Sequence, residues 1–453
     1  MKNTSLSFLY EAYLKSSGVV TDSRSCPSGS IFFALKGDRF DGNRFAESAL
    51  QNGCAYAVVD DPSVLPQEES GDERYLLVDN VLSALQQLAR HHREQLKTPM
   101  LAITGTNGKT TTKELTAAVL SKKYKLLYTE GNLNNHIGVP LTLLRLRPEH
   151  QFAIVEMGAS HPGDIRELVE IAEPDYGLIT NVGNAHLQGF GSFEGVLHTK
   201  CELFDYLRQK GGKVFVNVRN TYLAPMLSGL EPLYYAVTSG TPFSFDKPYL
   251  AEARIARCNP FLAFKWRSAD SGGWKCCTTR LIGDYNLDNA LAAAAVGTYF
   301  GVGAEDISAA IAAYVPGNGR SQLKETSRNR LILDAYNANP TSMQAALNNF
   351  RKMDMPQKGV ILGDMKELGA ASADGHAAVM QLVNRCHFRM VIYVGTEFAA
   401  VGKASPNLAA GAEFFENTDQ LVDYLREQSW LRGYTLLIKG SHSMNLSAVA
   451  NVL

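Results

Sequence analysis

Two kinds of hydrophobic spacing alternate along the chain. Short continuous apolar runs at residues 31–35, 55–59, 100–103, 152–155 and 178–179 are bounded by Gly, Asp or Asn. Between them, apolar residues fall three or four apart, as at Leu82, Leu85, Leu88 and Ala89. Short runs bounded by turn residues suit strands buried on both faces, and the wider spacing suits helices that cover them. The alternation predicts an α/β protein built on parallel sheets.

The same pattern divides the chain into three parts. A helix over 81–96, followed by polar residues and Pro99, closes a small α/β domain spanning residues 1–97. Residues 98–315 form a central domain with a parallel sheet. Between about 234 and 281 this domain turns β-rich around Ser271-Gly272-Gly273, which reads as an antiparallel extension. Pro316-Gly317-Asn318-Gly319 suits a hinge. Beyond it, runs at 331–333, 359–362, 390–394 and 435–438 alternate with helical patterns such as Met343, Ala346, Leu347 and Phe350. That predicts a Rossmann-like doubly wound sheet over 316–453, with function at the carboxyl ends of its strands. A length of 453 residues agrees with three domains at about 150 residues each.

Composition narrows the classes. Hydrophobic residues make up 45% of the chain and charged ones 20%, the balance of a soluble globular protein. A net charge of −1 without long Lys or Arg runs gives no basis for a nucleic-acid or anionic-membrane partner. Residues 1–10 lack the basic-then-apolar form of a signal peptide, and no run is long enough to span a membrane. The seven Cys are scattered without a C-x-x-C pair, so neither a disulfide framework nor a zinc site is expected. A cytoplasmic location follows as the expectation.

The sharpest chemical signal is Ile103-Thr104-Gly105-Thr106-Asn107-Gly108-Lys109-Thr110-Thr111-Thr112. An apolar strand feeds a glycine-containing turn, and Lys-Thr opens a helix marked by Leu115, Ala118 and Val119. Such a loop turns backbone N–H groups and a helix N-terminus toward phosphate oxygens. Lys109 is expected on the β/γ-phosphates and Thr110 on Mg²⁺, with Thr106, Asn107, Gly108 and Thr111 completing the cradle. The first glycine of the usual phosphate-loop pattern is replaced by Ile103.

Other polar residues follow strands of the same sheet. Glu156, ending the run 152–155, is read either as a second metal ligand or as a capping residue. His186, in Asn181-Val182-Gly183-Asn184-Ala185-His186, is read as a ligand or a structural histidine. Lys200 shares a helical face with Val196, Leu197, Leu203, Phe204 and Leu207. Its amine either snorkels out to water or stays desolvated with a lowered pKa, able to react while neutral. Asn134 and Asn135 make turn bonds or face a substrate. Asp334, Tyr336, Asn337 and Asn339 follow a C-terminal strand, a place suited to ribose or phosphate.

Together these motifs resemble the Mur ligase family over almost the whole chain. The resemblance rests on Gly105-Thr106-Asn107-Gly108-Lys109-Thr110, Glu156-Met157-Gly158, the Asn181–His186 motif, Asp334-Ala335-Tyr336-Asn337-Ala338-Asn339-Pro340 and Gly363-Asp364-Met365. The stretches 336–343 and 132–140 look like the branch that adds a dipeptide. The resemblance implies an ATP- and Mg²⁺-dependent ligase. Its substrates would be UDP-N-acetylmuramoyl-tripeptide and D-alanyl-D-alanine, joined through an acyl phosphate by a monomeric enzyme of peptidoglycan precursor synthesis. It implies catalytic roles for Lys109, Lys200 and His186, with Lys200 matching a lysine that CO₂ converts to a metal-binding carbamate. Glu156, His186, Thr110 and that carbamate would hold Mg²⁺. Ser23, Arg24, Asp41 and Asn43 would hold the UDP-sugar, and Asn134, Asn135, Tyr336 and Asn337 would meet substrate. Asn289, Arg320 and Asp334 would contact the nucleotide.

Two positions depart from the family pattern: Tyr285 stands where a His is expected, and His442 where an Arg is expected. The Asp-Asn-Pro-Arg motif of the diaminopimelate-adding relatives is absent. A folylpolyglutamate synthase-like enzyme shares the chemistry but takes a folate acceptor. A nucleotide-dependent switch would instead release phosphate without any carboxylate substrate, and a binding module with a relic phosphate loop would release none.

Overall fold

The apolar runs become the strands of three main sheets in the computed structural model, which describes residues 4–66, 73–238, 247–269, 271–317, 319–428 and 430–453. Asn318, part of the expected hinge, lies outside the described residues. In the N-terminal part, strands Val19–Val20, Ile31–Phe33, Tyr56–Val59 and Tyr75–Leu77 pair in that order, all parallel. Alternation along one strand sends its side chains to both faces. Ile31 and Phe33 join helices Leu6–Lys15 and Val81–Leu96, while Phe32 joins Ala46–Gln51.

Helix Val81–Leu96 starts at Asn80, whose side chain accepts the N–H of Ser83 at 2.8 Å. It does more than close the first part. Leu85, Leu88 and Ala89 belong to a single apolar cluster running from Leu9 to the central strands. Arg93 is buried and donates to the carbonyls of Ala172 and Glu173, both at 3.1 Å. The N-terminal and central parts therefore share one core.

Among the described residues the central sheet has nine strands, in the order Lys275–Ile282, Phe261–Ser268, Ala251–Cys258, Glu231–Val237, Lys213–Asn217, Tyr176–Ile179, Met100–Thr104, Phe152–Glu156 and Leu126–Tyr128. The expectation of an antiparallel extension from Tyr234 needs correction. Glu231–Val237 is parallel to both neighbours, and antiparallel pairing begins only between Ala251–Cys258 and Phe261–Ser268. Period-2 alternation is the same in both pairings, so sequence pattern does not separate them. Helix Asn286–Tyr299 is buried at every position from Ala290 to Val296, wedged against helix Lys109–Leu120. Its alanines leave room for that close approach.

The C-terminal sheet runs Gln322–Glu325, Arg330–Asp334, Thr435–Lys439, Lys358–Gly363, Met390–Val394 and Glu413–Phe415, parallel except for the first pair. Helices Pro340–Lys352 and Ser372–Cys386 cover one face and Thr418–Glu427 the other. The two edge strands are short, with one apolar residue in Gln322–Glu325 and two in Glu413–Phe415, which is why the sequence pattern shows only four. Among the described residues, no helix is long and apolar enough to cross a membrane.

Candidate active site

Strand Met100–Thr104 is buried throughout and lies between Phe152–Glu156 and Tyr176–Ile179. The chain leaves it toward Leu126–Tyr128 on one side and later crosses from Phe152–Glu156 to Tyr176–Ile179 on the other, opening a crevice at the carboxyl ends of the three strands. The loop that follows needs its glycines. Gly105 has φ +141°, and a Cβ there would lie 2.0 Å from Thr180 Oγ1. Gly108 has φ +79°, and its Cβ would lie 2.4 Å from Asn289 Oδ1. The end of the next strand holds the loop: Asn107 N donates to Asn181 Oδ1 at 3.0 Å, while Thr180 Oγ1 and Asn181 Nδ2 donate to Asn107 O at 2.7 and 2.9 Å. Lys109 Nζ folds over the loop, donating to Gly105 O at 2.7 Å and Thr106 O at 3.1 Å. Burial lowers its pKa, against the attraction of Glu156 and with the repulsion of Arg320.

Glu156 ends its strand almost fully buried, 1% exposed. Its Oε1 accepts from Thr110 Oγ1 at 3.0 Å and from Asn134 Nδ2 at 2.8 Å. Its Oε2 is buried with no hydrogen-bond partner among the described residues. A carboxylate that caps no helix and carries a bare oxygen beside a threonine hydroxyl fits a hard divalent cation. Among the described residues, no three His, Cys, Asp or Glu side chains converge as a metal site. A cation here would draw remaining ligands from phosphate, water or a further carboxylate, as Mg²⁺ commonly does. Asn135 lines the same cleft but its Oδ1 accepts from Ile137 N and Gly138 N, the turn-forming role.

Lys200 sits on helix Phe193–Lys210, 2% exposed, and does not line the cleft. Its amine stays inside, 5.4 Å from the centre of the Phe190 ring, so it does not snorkel. Burial first, then the charge of Lys109, hold its pKa well below 10.5, with Asp164 and Glu202 opposing. His186, with φ 50°, turns its Nδ1 onto the carboxylate of Glu367 from the C-terminal part, and that contact lowers the pKa of Glu367.

The opposite wall comes from the C-terminal sheet. Asp334 Oδ2 accepts from Lys439 Nζ at 2.7 Å, and Oδ1 accepts from Ser321 N at 3.2 Å. The Arg320 guanidinium lies 3.5 Å from the centre of the Tyr336 ring. Asn339 caps helix Pro340–Lys352 through its Oδ1 and donates from Nδ2 to Asn107 Oδ1 at 2.9 Å, across to the glycine loop. Between the walls lies a cleft of about 790 Å³, of a size for a small-molecule or nucleotide ligand. Thr106, Asn107, Gly108, Lys109, Thr110 and Thr111 line it with Asn134, Glu156, His186, Asn289, Arg320, Asp334, Tyr336 and Asn337.

The N-terminal residues lie elsewhere. Arg24 is exposed and paired with Asp22 at 2.7 Å. Asp41 accepts Asn43 N at the start of the turn Gly42–Phe45. Asn43 is buried, donating to Asp41 and Asp60 and accepting Asp60 N, so its amide shapes the loop. Ser23 O accepts from Asn52 Nδ2. None of the four lines the cleft.

Several cleft residues were not singled out from sequence. Asn181 lay inside a recognised motif and Lys439 opens the stretch Lys439-Gly440-Ser441-His442 that carries the second departure, but Glu367 had no local signal, because it reaches the site only through folding. Of the two departures, one lines the cleft and the other packs against a lining residue. Tyr285 lines it and its hydroxyl pairs with Ser321 Oγ at 2.8 Å, while the His442 ring lies 5.4 Å from that of Tyr336.

Comparison with known proteins agrees in extent. Three family models match in succession: the Mur ligase family catalytic domain over residues 15–93, the Mur ligase middle domain over 103–297 and the Mur ligase glutamate ligase domain over 319–442. The UDP-N-acetylmuramoyl-tripeptide–D-alanyl-D-alanine ligase of Bacillus subtilis (strain 168) is 33% identical over 450 residues, covering 96% of this chain and 93% of the relative. The ligase of the same name from Escherichia coli (strain K12) is 34% identical, with the same coverage of each chain. A crystal structure of MurF from Acinetobacter baumannii superposes with a TM-score of 0.83 at 28% identity, covering 100% of this chain and 98% of that one.

Proposed function

From the premise that the chain belongs to the Mur ligase family, we propose that it joins D-alanyl-D-alanine to UDP-N-acetylmuramoyl-tripeptide at the expense of ATP, in peptidoglycan precursor synthesis. The observation that carries this reading is the cleft itself. One wall holds a glycine loop with Lys109 and the bare carboxylate oxygen of Glu156, and the other carries Asp334 and Arg320 from a separate sheet. Phosphoryl transfer asks a protein mainly for positioning and charge neutralisation, and both walls supply charge to one space.

The terminal carboxylate of the tripeptide attacks the γ-phosphorus, and the bond to the bridging oxygen of ADP breaks. Lys109 leaves the loop carbonyls of Gly105 and Thr106 to neutralise the phosphates. The neutral amine of D-alanyl-D-alanine then attacks the acyl carbon; phosphate leaves with the bonding electrons and the amine loses its proton. Glu156, Thr110 and His186 would hold Mg²⁺, which supplies further charge neutralisation when bound. Lys200 would carry the CO₂-derived carbamate, since carbamoylation needs the neutral amine that burial favours. Asn289 would face adenine, although its side chain already pairs with Thr112 and Asn286. Ser23, Arg24, Asp41 and Asn43 would serve the UDP-sugar, with Asn134, Asn135, Tyr336 and Asn337 nearer the tripeptide.

In this reading the chain works as a cytoplasmic monomer of three domains, 1–97, 98–315 and 316–453, the third closing over the other two to exclude water from the acyl phosphate. The test is phosphate release from ATP and Mg²⁺ with UDP-N-acetylmuramoyl-tripeptide, with and without D-alanyl-D-alanine. Release that needs both, with a product heavier by the dipeptide, is expected. Release without either substrate would sink the ligase reading in favour of a nucleotide switch.

A further inference from the structure

Tyr285 and Ser321 meet across the junction of the central and C-terminal parts. Tyr285 immediately precedes helix Asn286–Tyr299, whose alanine run is packed into the central core. Its ring lies over Gly283, where φ is +101° and a Cβ would sit 2.3 Å from Tyr285 Cε1. Asn286 Nδ2 donates to Ile282 O at 2.7 Å and Asn286 N to Gly283 O at 3.1 Å, closing the turn from which the ring projects. The turn that carries the phenol thus belongs to the central part. Ser321 stands opposite, at the entry to strand Gln322–Glu325 of the C-terminal sheet. It is buried and takes φ 47°, a left-handed conformation that a non-glycine residue keeps where its surroundings impose it. The preceding residue, Arg320, donates its N–H to Gly317 O at 3.3 Å and lays its guanidinium on Tyr336.

Ser321 is tied to Asp334 as well. Its N–H donates to Asp334 Oδ1 at 3.2 Å, and its Oγ lies 3.5 Å from the same oxygen, while Lys439 holds Oδ2. A carboxylate only accepts, so the serine proton faces Asp334 and Ser321 Oγ accepts from the phenol at 2.8 Å. Burial first, then the charge of Asp334, push the Tyr285 pKa up, so the phenol keeps the proton it donates. We propose that Tyr285 is a positioning residue for the nucleotide: through Ser321, its hydroxyl fixes the left-handed turn that presents Arg320 and Asp334 to the cleft. The proposal rests on the ligase reading for what Arg320 and Asp334 contact. One wall of the cleft is then set by a hydrogen bond from the part that carries the glycine loop. A bound nucleotide meets both halves of its site in register.

The test is a double-mutant cycle on the full-length protein, read as ADP binding with Mg²⁺ by calorimetry and as steady-state kinetics. Tyr285→Phe removes one oxygen and keeps the ring over Gly283. Its dissociation constant for ADP and its KM for ATP should each rise about 2–10-fold, the range of one hydrogen bond. The KM for D-alanyl-D-alanine should not follow. Ser321→Ala should weaken ADP binding at least as much. Adding Tyr285→Phe to Ser321→Ala should then cost nothing further, because the phenol has lost the acceptor through which it acts. A phenol that merely packs would shift the thermal midpoint of Tyr285→Phe and leave ADP affinity at the wild-type value, which would overturn the proposal. Losses that add in the double variant would overturn it too. Failure of the ligase reading is distinguishable, since that is read from wild-type product and the cycle from ADP binding without the UDP-sugar or the dipeptide.

Discussion

At the scale of single residues, Lys200 and Gly105 show how close packing and chemistry constrain each other. The Lys200 amine is enclosed beside Phe190 with Lys109 as a charged neighbour, an environment that disfavours the ammonium form. In unfolded chain the same amine is protonated up to about 10.5, its ordinary value. Between the depressed native pKa and that value the unfolded state binds the extra proton, so native stability rises with pH across this window. Denaturant unfolding of Lys200→Met in CO₂-free buffer should therefore show a flatter dependence in the alkaline range. Its stability at neutral pH should match or exceed wild type, because a volume-matched apolar side chain replaces a desolvated one. Turnover of the same variant should collapse, and near-normal turnover would mean that no carbamate is needed. Gly105→Ala places a Cβ 2.0 Å from Thr180 Oγ1 at φ +141°. A loss of about 1–3 kcal/mol, together with weakened ATP binding by calorimetry, is the expected outcome.

At the scale of elements, helix Pro340–Lys352 is the clearest case of one side chain with two duties. Asn339 closes a capping box with Ser342, and its free amide donates to Asn107 in the glycine loop. The duties separate by substitution. Asn339→Asp keeps the capping oxygen and removes the Nδ2 donor, so stability should hold while ATP affinity falls. Asn339→Ala removes both, and a further loss of about 0.5–2 kcal/mol in stability is expected from the cap. Equal stability in the two variants, read by thermal unfolding, would show that the cap contributes nothing.

For the whole molecule, the distribution of cores predicts its unfolding. One apolar cluster runs from Leu9 through helix Val81–Leu96 into the central strands, whereas the C-terminal sheet has clusters on its two faces to which the central sheet adds only Ile282 and Phe261. Contacts from that sheet to the cleft are largely polar: Asn339 to Asn107, Ser321 to Tyr285, Glu367 to His186. Scanning calorimetry should give two transitions, the N-terminal and central parts melting together and the C-terminal part apart. ATP with Mg²⁺ should draw the two midpoints closer, because a ligand bound by both walls stabilises the docked state. Three transitions would contradict the shared core, and a single one without ligand would contradict the separateness of the C-terminal clusters.

What the sequence determined by itself was everything governed by neighbours along the chain. The α/β alternation, the glycine loop with Lys109 and Thr110, and the acid at the end of strand Phe152–Glu156 follow from periodicity and local backbone demands. The short edge strands were not legible, since a strand of three or four residues with one or two apolar positions leaves no periodic trace. The parallel pairing of Glu231–Val237 was hidden because both pairings share one alternation. Only the tertiary structure decided which reading of Lys200 holds, since snorkelling and burial place the same residue on the same helical face and differ in what packs above it. It also decided that Glu367 meets His186 and that Lys439 meets Asp334, pairs more than 100 residues apart in chain position. Such contacts depend on how sheets dock, a property of surfaces built from distant segments, on which local spacing carries no information.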